Sequence, residues 1–174
     1  MTEKLIISWD DYNKTVEKLA LMVHESGYQP TLLVGIMRGA APMIDVLSRV
    51  FKLKCAYLAV ESYTGKGIED QQGQLIFSRE MSSTVKDLGG NLLLCDDLSD
   101  TGITLNRSID WLNKYPPLKG KIKDIKTAIL WKKKQSTFEA DYCAIKLSNN
   151  PWIVQPFEKY EEIRVEDLKK KHQK

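Results

Sequence analysis

An α/β fold with a parallel central sheet is predicted by three features of the 174-residue sequence. Apolar runs without polar alternation, above all Leu92-Leu93-Leu94-Cys95, read as strands buried on both faces. Segments with helical periodicity stand between these runs, the alternation that βαβ units require. Two of the runs end in small-residue loops that open directly into helical patterns, and open α/β sheets collect ligands at such strand ends.

Taken in order, Ser8 is an N-cap candidate with Asp11 three residues on, and Tyr12, Val16, Leu19 and Val23 recur at helical spacing up to Gly27. His24 falls near the end of that helix as a surface group. Thr31 to Ile36 is a buried strand that runs into Met37-Arg38-Gly39-Ala40-Ala41-Pro42, with a helix through Val50. Lys54 to Val60 is the third strand, parallel under the βαβ rule. Glu61 to Asp87 is polar and lacks a long helical period apart from the short run Leu75-Ile76-Phe77, as a functional lid or a disordered segment would. After the central strand, Ile103, Leu105, Ile109 and Leu112 form a helix that must stop before Pro116-Pro117. Ile125 to Trp131 is the next strand, Tyr142 to Leu147 an edge-like one, and Asn149-Asn150-Pro151 turns the chain into its last apolar segment. No repeat or linker divides the chain, so 1–174 is expected to be one domain.

Composition narrows the functional classes. With 43% hydrophobic residues the chain buries a core without staples. The net charge of +3 arises from mixed charges and partly from Lys169, Lys170, Lys171 and Lys174 in a basic tail at about 165–174, expected to be a short helix or frayed. No basic strip interleaved with aromatics is present, so no nucleic-acid partner is expected. Cys55, Cys95 and Cys143 lie in apolar segments without CxxC spacing and read as buried thiols of a reducing compartment. No apolar run is long enough to span a bilayer and MTEKLIISWDD has no signal-peptide stretch, so a cytoplasmic protein without a membrane partner is expected.

The chemistry concentrates in Asn91 to Leu105. Asp96 and Asp97 stand where the strand leaves the core, followed by the turn Leu98-Ser99-Asp100-Thr101-Gly102. Backbone N–H groups at the helix start and the hydroxyls of Ser99, Thr101 and Thr104 can surround one phosphate, and Gly102 permits close backbone approach. Adjacent carboxylates can accept from a vicinal diol or hold a hard cation, and a sugar phosphate meets both demands. In the earlier loop, Arg38 offers a forked cation and Gly39 a close backbone.

The run LLLC-DD-LS-DTGIT resembles the signature with which type I phosphoribosyltransferases hold 5-phosphoribosyl-1-pyrophosphate. The resemblance implies a Rossmann-like parallel-sheet core with a flexible lid hairpin at about 61–87 and a small hood. It also implies magnesium as cofactor, with Asp97 as the metal contact. Asp96 and Asp97 would hold ribose hydroxyls, Ser99, Asp100, Thr101, Gly102, Ile103 and Thr104 the phosphate, and Asp100 would act as general base on the purine. The Arg38-Gly39 loop resembles the pyrophosphate loop of bacterial xanthine-guanine phosphoribosyltransferases, although Ala40 replaces a second glycine; a cis peptide would fall at Met37-Arg38. Ser62-Tyr63 resembles the start of the lid in several members, and a phosphate-reaching arginine of the lid aligns with Gly73, with Lys66 or Arg79 as substitutes. Lys132 in ILWK resembles the lysine that donates to a purine 6-oxo group, and Trp152-Ile153 in PWIVQPF resembles the stacking aromatic and the residue that meets the 2-position edge. A cation at this position selects 6-oxopurines over adenine, whose 6-amino group does not accept. The resemblance therefore implies purine salvage on 5-phosphoribosyl-1-pyrophosphate and guanine, xanthine or hypoxanthine, by a homo-oligomer, dimer or tetramer. The rival readings are a sensor of the same fold without turnover, an enzyme for a different base, and a receiver-type phosphoacceptor domain. The intact Asp100 and Arg38 weigh against the sensor, and the absence of an acid pair after the first long strand weighs against the receiver.

Overall fold

The computed structural model describes residues 3–62 and 75–173. Five parallel strands form the centre of the sheet: β2 (Leu32–Met37), β3 (Cys55–Ser62), β6 (Gly90–Ser99), β7 (Ile122–Lys132) and β8 (Tyr142–Lys146), in the order β3-β2-β6-β7-β8. Two short strands, β4 (Leu75–Phe77) and β5 (Ser82–Ser83), pair antiparallel with β3. From β2 the chain moves outward to β3, then returns to the other side of β2 as β6 and proceeds to β7 and β8. The direction of winding thus reverses between β2 and β6, whose carboxyl ends are the two loops singled out by sequence.

Side-chain alternation on β6 explains its burial. Leu93 and Cys95 join a core with α1 (Trp9–Glu25) and α2 (Ala41–Phe51), whereas Leu92 and Leu94 join a second core with α3 (Ile103–Lys114). Ser8 caps α1, accepting from the Asp11 N–H at 3.1 Å, and Tyr12, Val16, Leu19 and Val23 are fully buried along its apolar stripe. His24 is exposed in the last turn.

Several expectations are corrected. The central strand does not end at the acids but runs on to Ser99, because β7 pairs with it as far as Ser99 opposite Lys132. Residues 75–87 are not simply lid: Met81 is buried, and Phe77 and Val85 pack on the second core, their irregular spacing having concealed this from the periodicity. Tyr63, Lys66 and Gly73 lie outside the described residues, and Ser62 closes β3. Of the three thiols only Cys95 is buried; Cys55 and Cys143 are partly exposed, because β3 and β8 lie away from the centre of the sheet. The tail forms a surface helix, α4 (Val165–His172), exposed except for the partly buried Leu168.

One element is absent from the sequence reading. β1 (Lys4–Ile6) and β9 (Trp152–Val154) form a separate two-stranded parallel sheet, Lys4 opposite Trp152 and Ile6 opposite Val154. This sheet supplies a hood above the main one. An aromatic series fixes the segment beyond it: Phe157 packs on Trp9 and Tyr12 at ring separations of 6.2 and 6.0 Å, and Tyr12 on Trp131 at 5.8 Å.

At the other edge, Asp141 holds β8 to β7. Its Oδ2 accepts from the Thr127 N–H at 2.8 Å and from Thr127 Oγ1 at 2.9 Å, and Lys126 Nζ lies 2.9 Å from Oδ1. Burial pushes this carboxyl up, but Lys126 and Thr127 outweigh it and hold the group below its ordinary value. A carboxylate lowered in the folded state stabilises above its unfolded pKa and loses that contribution as the pH falls through the folded value. Asp141→Ala should therefore cost about 1–3 kcal/mol at neutral pH, measured by urea unfolding, with a smaller difference from the parent in acid.

Candidate active site

The first loop leaves β2 through a cis peptide between Met37 and Arg38, as the resemblance implied. It turns tightly, with the Ala40 N–H donating to Ile36 O and the Ala41 N–H to Arg38 O, each at 3.0 Å, before Pro42 enters the first turn of α2. Arg38 projects outward with its side chain 85% exposed, and its Nη2 donates to Glu161 Oε1 at 2.8 Å. Gly39 packs directly against the Asp97 carboxylate, where any Cβ would collide with it.

The second loop closes β6 and opens α3. Gly102 is the N-cap of α3 with φ +90°, a conformation that favours glycine, and an added Cβ would meet Phe138. No side chain caps this helix; the Ile103 N–H makes only a long contact of 3.4 Å with Thr101 Oγ1. The first-turn donors therefore face a small cavity of about 70 Å³ lined by Asp96, Leu98, Ser99, Asp100, Thr101, Gly102, Thr104 and Leu105. Its size suits a small anion and excludes a base. Ser99 lines this cavity, and its buried hydroxyl meets Ser136 Oγ at 2.7 Å, which fastens the loop after β7 to this one.

Because β6 continues through the acids, successive side chains diverge. Asp96 lines the small cavity, whereas Asp97 lines a larger one of about 940 Å³ together with Arg38, Gly39, Phe157, Glu158 and Glu161. Burial raises the pKa of both, and for Asp96 the neighbouring Asp97 charge adds to it. The Asp97 N–H donates to Asp96 Oδ1 at 3.0 Å, and Asp97 Oδ2 accepts from Gln155 Nε2 at 2.7 Å. Burial, then the charge of Asp97, likewise raises Glu158. Among the described residues no cluster of three or more His, Cys, Asp or Glu has metal-ligand geometry.

Asp100 is half exposed, and its Oδ1 is met by both Gln135 Nε2 and Lys133 Nζ, the latter at 3.2 Å. Lys132, the last residue of β7, and Lys133 just after it are both buried. Lys133 goes to Asp100, and Lys132 Nζ is bound by Glu139, which also meets Lys146. Trp152 is 57% exposed and lines a third cavity, of about 410 Å³, that shares Glu158 and Glu161 with the large one. Ile153 is buried beneath it, opposite Leu5. Lys132 lines neither of these cavities.

Residues 8–162 match the phosphoribosyl transferase domain. The chain belongs to the phosphoribosyl transferase family. It is 30% identical over 152 residues to the hypoxanthine-guanine phosphoribosyltransferase of Aquifex aeolicus (strain VF5), spanning 83% of this chain and 80% of that protein. With the hypoxanthine-guanine-xanthine phosphoribosyltransferase of Tritrichomonas foetus it shares 23% identity over 165 residues, 93% of this chain and 87% of the relative. The crystal structure of a purine phosphoribosyltransferase from Pyrococcus horikoshii superposes with a TM-score of 0.71 at 25% identity, covering 94% of this chain and 97% of the other. Against this phosphoribosyl transferase background, the residues missed from sequence are Lys133, Gln135, Gln155, Glu158 and Glu161. The motif Trp-Ile-x-Gln-Pro-aromatic contains Gln155 and was the one available signal for it.

The acid pair has a measurable thermodynamic signature. A carboxyl whose folded pKa is raised costs stability above its unfolded pKa, and the cost grows as the pH rises through the window between the two values. Asp96→Asn removes one of the two charges and keeps an acceptor for the Asp97 N–H. The unliganded variant should melt higher than the parent near neutral pH, by about 2–4 °C per kcal/mol relieved, and the two melting curves should converge toward pH ~4.

Proposed function

We propose that the protein is a purine salvage phosphoribosyltransferase, transferring the 5-phosphoribosyl group of 5-phosphoribosyl-1-pyrophosphate to N9 of guanine, xanthine or hypoxanthine. The observation that carries this reading is the meeting of two loops at the winding reversal of the sheet: Arg38-Gly39 after β2, and Asp96 to Thr104 from the end of β6 into α3. The relatives from Aquifex aeolicus and Tritrichomonas foetus carry oxopurine phosphoribosyltransferase names, and each aligns over most of its own length.

The 5-phosphate occupies the small cavity, held by the open N–H groups of α3 and the hydroxyls of Thr101 and Thr104. Asp96 and Asp97 accept from the ribose hydroxyls, one from each cavity. Arg38 exchanges Glu161 for the departing pyrophosphate, and Gly39 lets the backbone approach it. Magnesium fits this donor set, because neither Asp96, which is buried, nor Asp97, which is partly buried, has a cation partner among the described residues; Asp97 would hold the ion, which would supply positive charge for the pyrophosphate. As C1′ becomes oxocarbenium-like, Asp100 takes the purine proton at N7. Lys133 and Gln135 anchor its Oδ1, an arrangement that supports the role by fixing the carboxylate. Trp152 stacks on the base, the backbone at Ile153 meets the 2-position edge, and Lys132 donates to O6 on leaving Glu139. We place the enzyme in the cytoplasm as a homo-oligomer, a dimer or tetramer; no helix among the described residues is long and apolar enough to cross a membrane.

A spectrophotometric assay with magnesium, 5-phosphoribosyl-1-pyrophosphate and each of hypoxanthine, guanine, xanthine and adenine tests the reading. Turnover of at least one oxopurine without adenine, reduced about a hundredfold or more in Asp100→Asn, is expected. Measurable donor binding without turnover of any base sinks it. Glu139→Gln weakens the contact that competes for Lys132 and should lower the oxopurine KM by up to about fivefold. An unchanged KM would remove Lys132 from the base site.

A further inference from the structure

Gln155 follows β9 by one residue and is 3% exposed. Its amide donates through Nε2 to Asp97 Oδ2 at 2.7 Å, across 58 positions of sequence. The other end of the same amide, Oε1, is buried and has no hydrogen-bond partner among the described residues. A buried carbonyl without a donor costs stability, and a methionine or leucine would fill the position without that cost. Gln155 is therefore a poor choice for packing alone. With Asp97 ionised, only the donor end of the amide can face it, so the orphaned carbonyl is the consequence of serving the carboxylate.

Asp97 is thereby gripped from three directions. β6 carries it, Gly39 of the Arg38 loop presses on its carboxylate, and Gln155 donates to it from the hood side. Only the last is connected to the strand that bears Trp152. Along that strand the intervening residues are fixed: Ile153 is buried opposite Leu5, the Ile7 N–H donates to Val154 O at 3.0 Å, and the Trp152 N–H donates to Glu3 O at 2.8 Å. A displacement at Trp152 is transmitted to Gln155 through paired backbone, not through a slack loop.

We infer that Gln155 is a positioning residue: it orients the Asp97 carboxylate for the ribosyl donor and couples that carboxylate to the base-stacking strand β9. The inference rests on the phosphoribosyltransferase reading, since it presumes that Asp97 meets the donor. In it, donor binding aligns Asp97, Gln155 follows, and Trp152 is set for the incoming base.

Calorimetric titration of 5-phosphoribosyl-1-pyrophosphate with magnesium into the parent, Gln155→Met, Asp97→Asn and the double variant tests this, with melting temperatures measured alongside. Gln155→Met should weaken donor binding about tenfold, the size expected when a partner that orients a ligating carboxylate is removed, without lowering the melting temperature. In the Asp97→Asn background the same substitution should add little, because the residue acts through Asp97. Weaker donor binding that is additive with Asp97→Asn, or a lowered melting temperature with unchanged donor affinity, overturns the inference and leaves the enzyme reading intact. A parent protein that binds no donor overturns the enzyme reading and this inference with it.

Discussion

Two neighbouring carboxylates near the carboxyl end of the central strand β6 impose a demand that the surrounding architecture has to meet. In a medium of low polarizability an unpartnered charge is expensive, and Asp96 and Asp97 are both pushed toward their protonated forms. What lies around them reads as a set of responses to that demand. The backbone of β6 donates back to Asp96, Gln155 donates to Asp97, Gly39 gives up its side chain to make room, and the start of α3 directs its positive end toward the same strand terminus. The demand is met only in part by the protein, and that shortfall is what a ligand rich in hydroxyls and accompanied by a cation can satisfy.

The winding reversal between β2 and β6 is what allows such a strand terminus to be reached by solvent. Helices α1 and α2 cover one face and α3 the other, so the sides of β6 are closed and its end is open. The loop after β7 is then secured to this opening from outside. Ser99 and Ser136 share a hydrogen bond, the Lys133 N–H donates to Ser99 O at 3.0 Å, the Thr137 N–H donates to Thr101 O at 3.2 Å, and Phe138 rests on Gly102. Asp100 consequently sits between two elements that are distant in sequence and is held by both.

Local signals carried the main sheet and the two anion loops. Runs such as Leu92 to Cys95 are unambiguous because burial on both faces removes all polar alternation, and LS-DTGIT is a contiguous motif. The parts that escaped depend on pairing between remote segments. Lys4 to Ile6 and Trp152 to Val154 are three residues each, too short for any period to show, and they become strands only through one another. The burial of Lys132 and Lys133 leaves no mark in the sequence, since a charge run is usually solvated; Glu139 and Asp100, which make their burial possible, are identified only in three dimensions. The extension of β6 to Ser99 was likewise hidden, since acids are uncommon in strands and only the register with β7 overrides that preference.

The pairing of β1 with β9 also orders events along the nascent chain. The residues that line the small cavity, all within 96–105, lie well before residue 152, and the strand partners of β6, which are β2 and β7, are complete by Lys132. Lys4 must wait for Trp152 to emerge before it acquires a partner, and the loop so closed spans most of the polypeptide. During synthesis the main sheet as far as β7 can therefore be assembled while β1 still has no partner, and a segment made before that sheet is among the last to find its place.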